Sequence, residues 1–298
     1  MGRRKIAAAL LALTASLFSA AIVYGGEKSG TEPCFVRIVT EAESPEKLYG
    51  EYIPVLMYHH FSEEEPAYGD GMVVSVEELE EHLQFFQSAG YRCITLEQLN
   101  VLMRSAKYNY TLQGKGLGLE EKYLCITMDD GYYSNYELAY PLFKKYEMPS
   151  AVFAVTDFIT EQHGLQKFTW KQAEKMDDSG WLKVYSHSAD HIPVEAGQEE
   201  VFLACMQKSE EVLQEKLKAD RVKAMAYPNG IYTAASQELL QADGYELQFT
   251  VDHGIVTKDT DRNAIPRITV ASGMTGEDVV RKIELAAEIA FAAEREGK

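Results

Sequence analysis

Short apolar runs separated by amphipathic stretches recur along the chain, at residues 54–58, 91–94, 123–128, 151–155, 182–185, 224–227, 247–251 and 265–270. They are rich in β-branched and aromatic residues, and their apolar character is continuous rather than alternating. A strand covered on both faces has that pattern. Between the runs, apolar positions switch to helical spacing behind readable start signals. Ser75 and Glu78 form a capping box ahead of Leu79, Leu83 and Phe86, and Gly90 stops the stretch. Thr95 with Gln98 and Thr169 with Gln172 make two more boxes, the second leading a helix that ends at Gly180. Further helices are predicted over residues 135–146, 199–217, 234–242 and 276–296. Strand–helix alternation repeated this often predicts a parallel α/β fold. An open doubly wound sheet and a closed barrel satisfy it equally.

The first 50 residues break the pattern. Arg3, Arg4 and Lys5 precede an uncharged, Ala- and Leu-rich run over residues 6–24, which is the grammar of an export signal. Val23 and Gly25 are small enough for cleavage after Gly25. The run also approaches the length of about 20 apolar residues that spans a bilayer. Residues 1–25 are thus expected to be a signal peptide or an uncleaved membrane anchor, with the rest of the chain outside the cell. Residues 26–50 read as a polar linker, and 51–298 as a single domain.

Charge narrows the ligand. With 29 basic against 46 acidic residues the formal net charge is −17, which argues against nucleic acid and against docking on anionic lipid. A neutral or cationic ligand suits such a surface. The four cysteines, Cys34, Cys93, Cys125 and Cys205, have no metal-finger spacing. Cys93 and Cys125 fall in strand-like runs and are expected to be buried thiols, with a bridge between them compatible with export.

Two motifs carry chemistry. Asp129-Asp130-Gly131 ends the run at 123–128. Neighbouring carboxylates on a regular strand would point to opposite faces, but at a strand end beside a glycine both can converge. So close together they repel unless a cation intervenes, so a metal on one leaves the other as a base. His187 and His191 follow the run at 182–185, and in a helical or tightly turned segment the two rings share a face. Each motif alone has a bland reading, an acidic turn or a chance pair of histidines. Together, after two buried strands, one carboxylate and two imidazoles make a three-ligand site with positions open to water. The ligand types fit a divalent metal, Zn2+ first, with Co2+, Ni2+ and Fe2+ compatible.

At these residues the chain resembles the polysaccharide deacetylases, carbohydrate esterase family 4, over residues 55–270. Thr127-Met128-Asp129-Asp130-Gly131 matches that family's T-F-D-D-G, and His187-Ser188-Ala189-Asp190-His191 its H-[ST]-x-x-H. The resemblance implies an irregular parallel (β/α) barrel, with Asp129 as catalytic base and Asp130, His187 and His191 as metal ligands. It implies an N-acetylated polysaccharide as substrate. Two departures stand out. The family's R-x-P-Y stretch reads Ala226-Tyr227-Pro228-Asn229-Gly230 here, without the arginine, and residues 277–298 contain no histidine to serve as acid. Both departures resemble the exported poly-β-1,6-N-acetylglucosamine deacetylases, whose motifs are circularly shifted and whose acid follows a tyrosine early in the domain. That implies His59, after Tyr58, as a proton-donating imidazolium, with His60 beside it in a position where that branch often has Asp.

The remaining candidates are oxyanion and substrate groups. Asn229 offers a backbone N–H to the oxyanion, Tyr132 and Tyr133 could line a groove, and Trp170 or Trp181 could stack on sugar or simply pack. Arg267 could steer the base in place of the missing arginine, or form a structural ion pair. A non-catalytic glycan-binding module with this fold, or a deacetylase of peptidoglycan or O-acetylated xylan, are the competing readings.

Overall fold

A computed structural model describes residues 52–64, 71–104, 122–160, 164–217 and 221–296. The export segment 1–25 and the linker 26–50 lie outside them. The strands are β1 (Tyr52–Ile53), β2 (Val55–Tyr58), β3 (His60–Ser62), β4 (Val73–Ser75), β5 (Tyr91–Cys93), β6 (Lys122–Met128), β7 (Ser150–Ala154), β8 (Leu182–Ser186), β9 (Ala224–Ala226), β10 (Leu247–His253), β11 (Val256–Thr257) and β12 (Ile265–Thr269). The α-helices are α1 (Val76–Ser88), α2 (Leu96–Arg104), α3 (Tyr140–Lys145), α4 (Trp170–Ser179), α5 (Glu199–Lys216), α6 (Ala234–Ala242) and α7 (Gly276–Glu296).

The sheet runs β2-β12-β10-β9-β8-β7-β6 and returns to β2, each neighbouring pair parallel. It is therefore a closed barrel ringed by helices, and β6 decides the closure. Its first residues pair with β5, Tyr91 opposite Lys122, while Cys125 to Met128 pair with β2 along the same edge. β5 thus hangs outside the ring. The barrel is irregular: β8 and β9 share one registered pair, Ser186 with Met225, and the register of β10 on β12 shifts between Phe249 and His253.

Every second residue of a strand faces inward. Val55, Cys125, Phe153, Tyr185, Ala226, Phe249 and Ile265 form one buried cluster, with the Phe153 ring 5.2 Å from Phe249 and 6.0 Å from Tyr185. Leu96, Leu99 and Leu102 of α2 belong to the same cluster and close the amino-terminal mouth. Asn100 of that helix donates to Glu246, just before β10, at 2.7 Å. With one end sealed, the carboxyl ends of the strands are left to build a site.

The capping boxes form at Ser75, Thr95 and Thr169, each with reciprocal side-chain and backbone bonds. One expectation needs correction and one open choice is resolved. The helix predicted over 135–146 is a π-turn, Asn135–Ala139, followed by α3. Pro141 has no N–H to give and crowds the carbonyl four residues back, so the preceding turn widens. Cys93, Cys125 and Cys205 are free thiols. Cys93 registers with Leu124, so Cys125, one residue further along β6, projects from the opposite face, and no bridge joins them.

Candidate active site

Four strand ends deliver the candidate residues to one place. His59 follows β2, Asp129 follows β6, His187 follows β8, and Asn229 lies in the Pro228–Gly230 turn after β9. Ladder bonds continue past the strands and fix these positions. The Asp129 N–H donates to the Tyr58 carbonyl at 3.1 Å, and the His187 N–H to that of Ala154 at 2.9 Å. Beyond Asp129 the backbone turns through two left-handed residues, Asp130 at φ 71° and Gly131 at φ 70°. A Cβ on Gly131 would lie 3.0 Å from that of Ala154, so glycine is needed there for space as well as conformation. The turn brings both carboxylates to the same side.

The stretch from His187 to His191 is not helical. Ser188 at φ 69° and His191 at φ 61° make it a tight turn, and the Ser188 hydroxyl accepts the His191 N–H at 2.9 Å. Of the two geometries the spacing allows, the turn is the one adopted. It sets the His187 and His191 rings 4.9 Å apart. Asp130 Oδ1 lies 3.6 Å from His187 Nε2 and 3.3 Å from His191 Nε2.

These atoms fit a divalent cation. His187 Nδ1 lies 2.8 Å from the Ala226 carbonyl, which can only accept, so Nδ1 carries the proton and Nε2 presents a lone pair toward Asp130. Burial lowers the His187 pKa although Asp129 and Asp130 oppose it, which favours the neutral imidazole a metal needs. A lone pair facing a carboxylate oxygen calls for a cation between them. A tetrahedral ion with bonds of about 2.1 Å separates its donors by about 3.4 Å, close to both distances.

Asp129 stands apart from this triad in its partner. Arg267, with 0% exposure, reaches across from β12 and binds both carboxylate oxygens, at 2.8 and 2.7 Å. Its Nε donates to the Thr250 carbonyl at 2.8 Å and its Nη1 to the Thr127 hydroxyl at 3.2 Å. Burial alone would raise the Asp129 carboxyl, but Arg267 and the nearby His187 and His59 hold it well below the usual carboxylate range. Of the places considered for Arg267, the structure puts it beneath Asp129 and off the cleft lining, paired with the base and not facing substrate.

His59 Nε2 lies 4.0 Å from Asp129 Oδ2. Burial lowers its pKa although Asp129 and Asp130 pull the other way, which favours the neutral ring at rest. Asn135, the buried first residue of the π-turn, donates to the His59 carbonyl at 2.8 Å, and Ser134 Oγ lies 2.8 Å from His60 Nδ1. These two anchors were missed from sequence because nothing marks a widened turn except Pro141. His60 also packs on Tyr132, ring centres 5.0 Å apart.

The cleft, about 260 Å³, is lined by His59, Asp129, Asp130, His187, His191, Asn229 and Tyr132. Tyr133 turns away and donates to Glu137 at 2.8 Å. Trp170 and Trp181 are half-buried and do not line the cleft. Lys167, which no motif marks, lines an adjoining cavity of about 370 Å³ with Asp130 and His191.

Comparisons with known proteins agree with this geometry. The polysaccharide deacetylase family model matches residues 117–248. The YxkH protein of Bacillus subtilis is 28% identical over 241 residues, 79% of this chain and 76% of that one. The poly-beta-1,6-N-acetyl-D-glucosamine N-deacetylase of Staphylococcus epidermidis is 27% identical over 209 residues, 67% of this chain and 68% of that one. The fold is that of the deacetylase PplD of Streptococcus pyogenes, with a TM-score of 0.68 at 22% identity over 78% of this chain and 98% of that one. IcaB from Ammonifex degensii shares it too, at a TM-score of 0.63 and 24% identity over 80% of this chain and 97% of that one. Family match, barrel and strand-end residues agree: the chain carries a polysaccharide deacetylase domain and is a deacetylase enzyme.

Proposed function

We propose that this deacetylase is a divalent-metal-dependent hydrolase that removes N-acetyl groups from an extracellular polysaccharide of the poly-β-1,6-N-acetylglucosamine type. The observation that carries the reading is the Asp130–His187–His191 triad, with ligand atoms all within 4.8 Å of one another, next to an arginine-bound Asp129. The named activity of the Staphylococcus epidermidis relative supports the substrate. The basic residues and apolar run of residues 1–25 support export.

A divalent cation on the triad, zinc first given its imidazole and carboxylate donors, supplies a Lewis acid for the acetyl carbonyl and lowers the pKa of water. The protein's residues do the rest. Asp129, ionised and held by Arg267, accepts the proton of the attacking water. The backbone N–H in the turn at Asn229, where φ is 55°, faces the developing oxyanion. His59 delivers a proton to the leaving amine. Since burial favours a neutral resting ring, that proton is acquired during the cycle, with Asp129 4.0 Å away as the source. The products are acetate and a glucosamine residue.

The test is acetate release from β-1,6-linked N-acetylglucosamine oligomers and from peptidoglycan, with zinc supplied and then chelated. Asp129→Asn is expected to lower kcat about 10²–10⁴-fold. Release that survives chelation, or that Asp129→Asn leaves intact, sinks the mechanism. Release from peptidoglycan alone redirects the substrate.

A further inference from the structure

The cavity beside the reaction cleft is lined in part by a cation that the chemistry above does not use. Lys167 is half-buried, and its Nζ lies over the Tyr132 ring, 3.5 Å from the centroid. Among the described residues no carboxylate forms an ion pair with it; Asp130 acts on it only at longer range. Burial lowers its pKa to about 8, against the pull of Asp130, so the ammonium keeps its proton at pH 7. The segment is clamped in place. Tyr132 bridges to Lys167, the Tyr133 N–H donates to the Gln166 carbonyl at 2.7 Å, and the Phe168 N–H to that of Gly131 at 3.3 Å. Lys167 is therefore fastened to the turn that carries Asp129 and Asp130.

The two cavities share Asp130, Tyr132, Leu165 and His191. On the N-deacetylase reading, a polymer with its reacting acetamido group over Asp129 and His59 has a path past these shared residues into the Lys167 side, which would set the neighbouring sugar beside the ammonium. In an N-acetylated polymer that sugar is neutral, but once it has been processed its freed amine is a second cation.

We propose that Lys167 sets the spacing of deacetylation along the polymer, admitting an acetylated sugar next to the reacting one and disfavouring a sugar whose amine is already free. The inference rests on the N-deacetylase reading above. Two like charges about 6 Å apart across a half-buried cleft disfavour each other about ten- to a hundredfold.

The experiment compares two β-1,6-linked N-acetylglucosamine oligomers at pH 7, one fully acetylated and one with a free amine on the sugar next to the remaining acetamido group. The readout is the ratio of the two kcat/KM values, measured for the wild type, Lys167→Met and Lys167→Arg. The wild type is expected to favour the fully acetylated oligomer about tenfold or more. Lys167→Met brings the ratio close to one, and Lys167→Arg, which keeps the charge, restores it. A purely structural role under Tyr132 would change both substrates alike and leave the ratio where it was, which overturns the proposal. Equal rates on the two oligomers in the wild type overturn it as well, while leaving the N-deacetylase reading intact. Acetate release from neither oligomer overturns both.

Discussion

Replacing Arg267 with methionine removes the positive end of a fully buried pair while keeping most of the side-chain volume. Asp129, 2% exposed, is then left with its charge and without its bidentate partner. Breaking a buried pair in this way costs about 3–5 kcal/mol. In a domain of this size that is a loss of about 6–20 °C in Tm. The pH dependence separates this cause from simple misfit. In the wild type the Asp129 pKa is depressed, so its contribution is full above the unfolded value of about 3.9 and is lost as pH falls through the folded value. Without Arg267, burial becomes the dominant influence and raises the carboxyl above its unfolded value. The native variant then binds the extra proton, and its stability falls as pH rises. The deficit against wild type should therefore be largest at pH 8 and shrink by about 1 kcal/mol or more at pH 5. Urea unfolding followed by the fluorescence of Trp170 and Trp181, in chelator at both pH values, measures it. Adding Asp129→Asn to the variant should recover part of the loss. A deficit that is the same at both pH values, or no deficit, would refute the reasoning.

Three further outcomes follow from the same structure. Zinc at a thousandfold excess over its Kd should stabilise the wild type by about 4 kcal/mol, and Asp130→Asn or His191→Ala should abolish most of the shift in unfolding midpoint; an equal shift in both variants would remove the triad as the binding site. Gly230→Ala should cost about 1–3 kcal/mol, because Gly230 sits at φ 69° and a Cβ there overlaps the Val251 side chain. Oxyanion stabilisation at Asn229 should suffer with it, read as a fall in kcat larger than any rise in KM. Burial pushes the Cys93 and Cys125 thiols up, so a thiol reagent at pH 8 should label them only on unfolding; rapid labelling of either in the native enzyme would contradict their placement.

Legibility followed the range of the forces involved. Asp129, Asp130, His187 and His191 could be read from sequence because each pair falls in the short segment that follows a continuous apolar run, and strand ends are where a parallel fold collects side chains. Three of the capped helices were legible because both partners of each box lie within four residues. Barrel closure was not, since it depends on β6 sharing one edge between β5 and β2, a choice no local pattern encodes. Arg267 was named as a residue that could steer the base, but its contact with Asp129 spans 138 positions, so no local pattern could choose between that role and a structural ion pair. Lys167 gave no signal at all, because a single antiparallel bridge in a loop holds it.

The His187 imidazole also joins two strands. β8 and β9 share one registered pair, and the His187 Nδ1–H bond to the Ala226 carbonyl adds the next rung across that seam. A cation on the proposed site would draw electron density through Nε2 and make Nδ1–H a stronger donor, so filling the site would tighten the weakest stitch of the barrel. Amide exchange near Ala226 should slow when zinc is added, and mutations that loosen this seam from the α5 side should weaken metal affinity without touching a ligand.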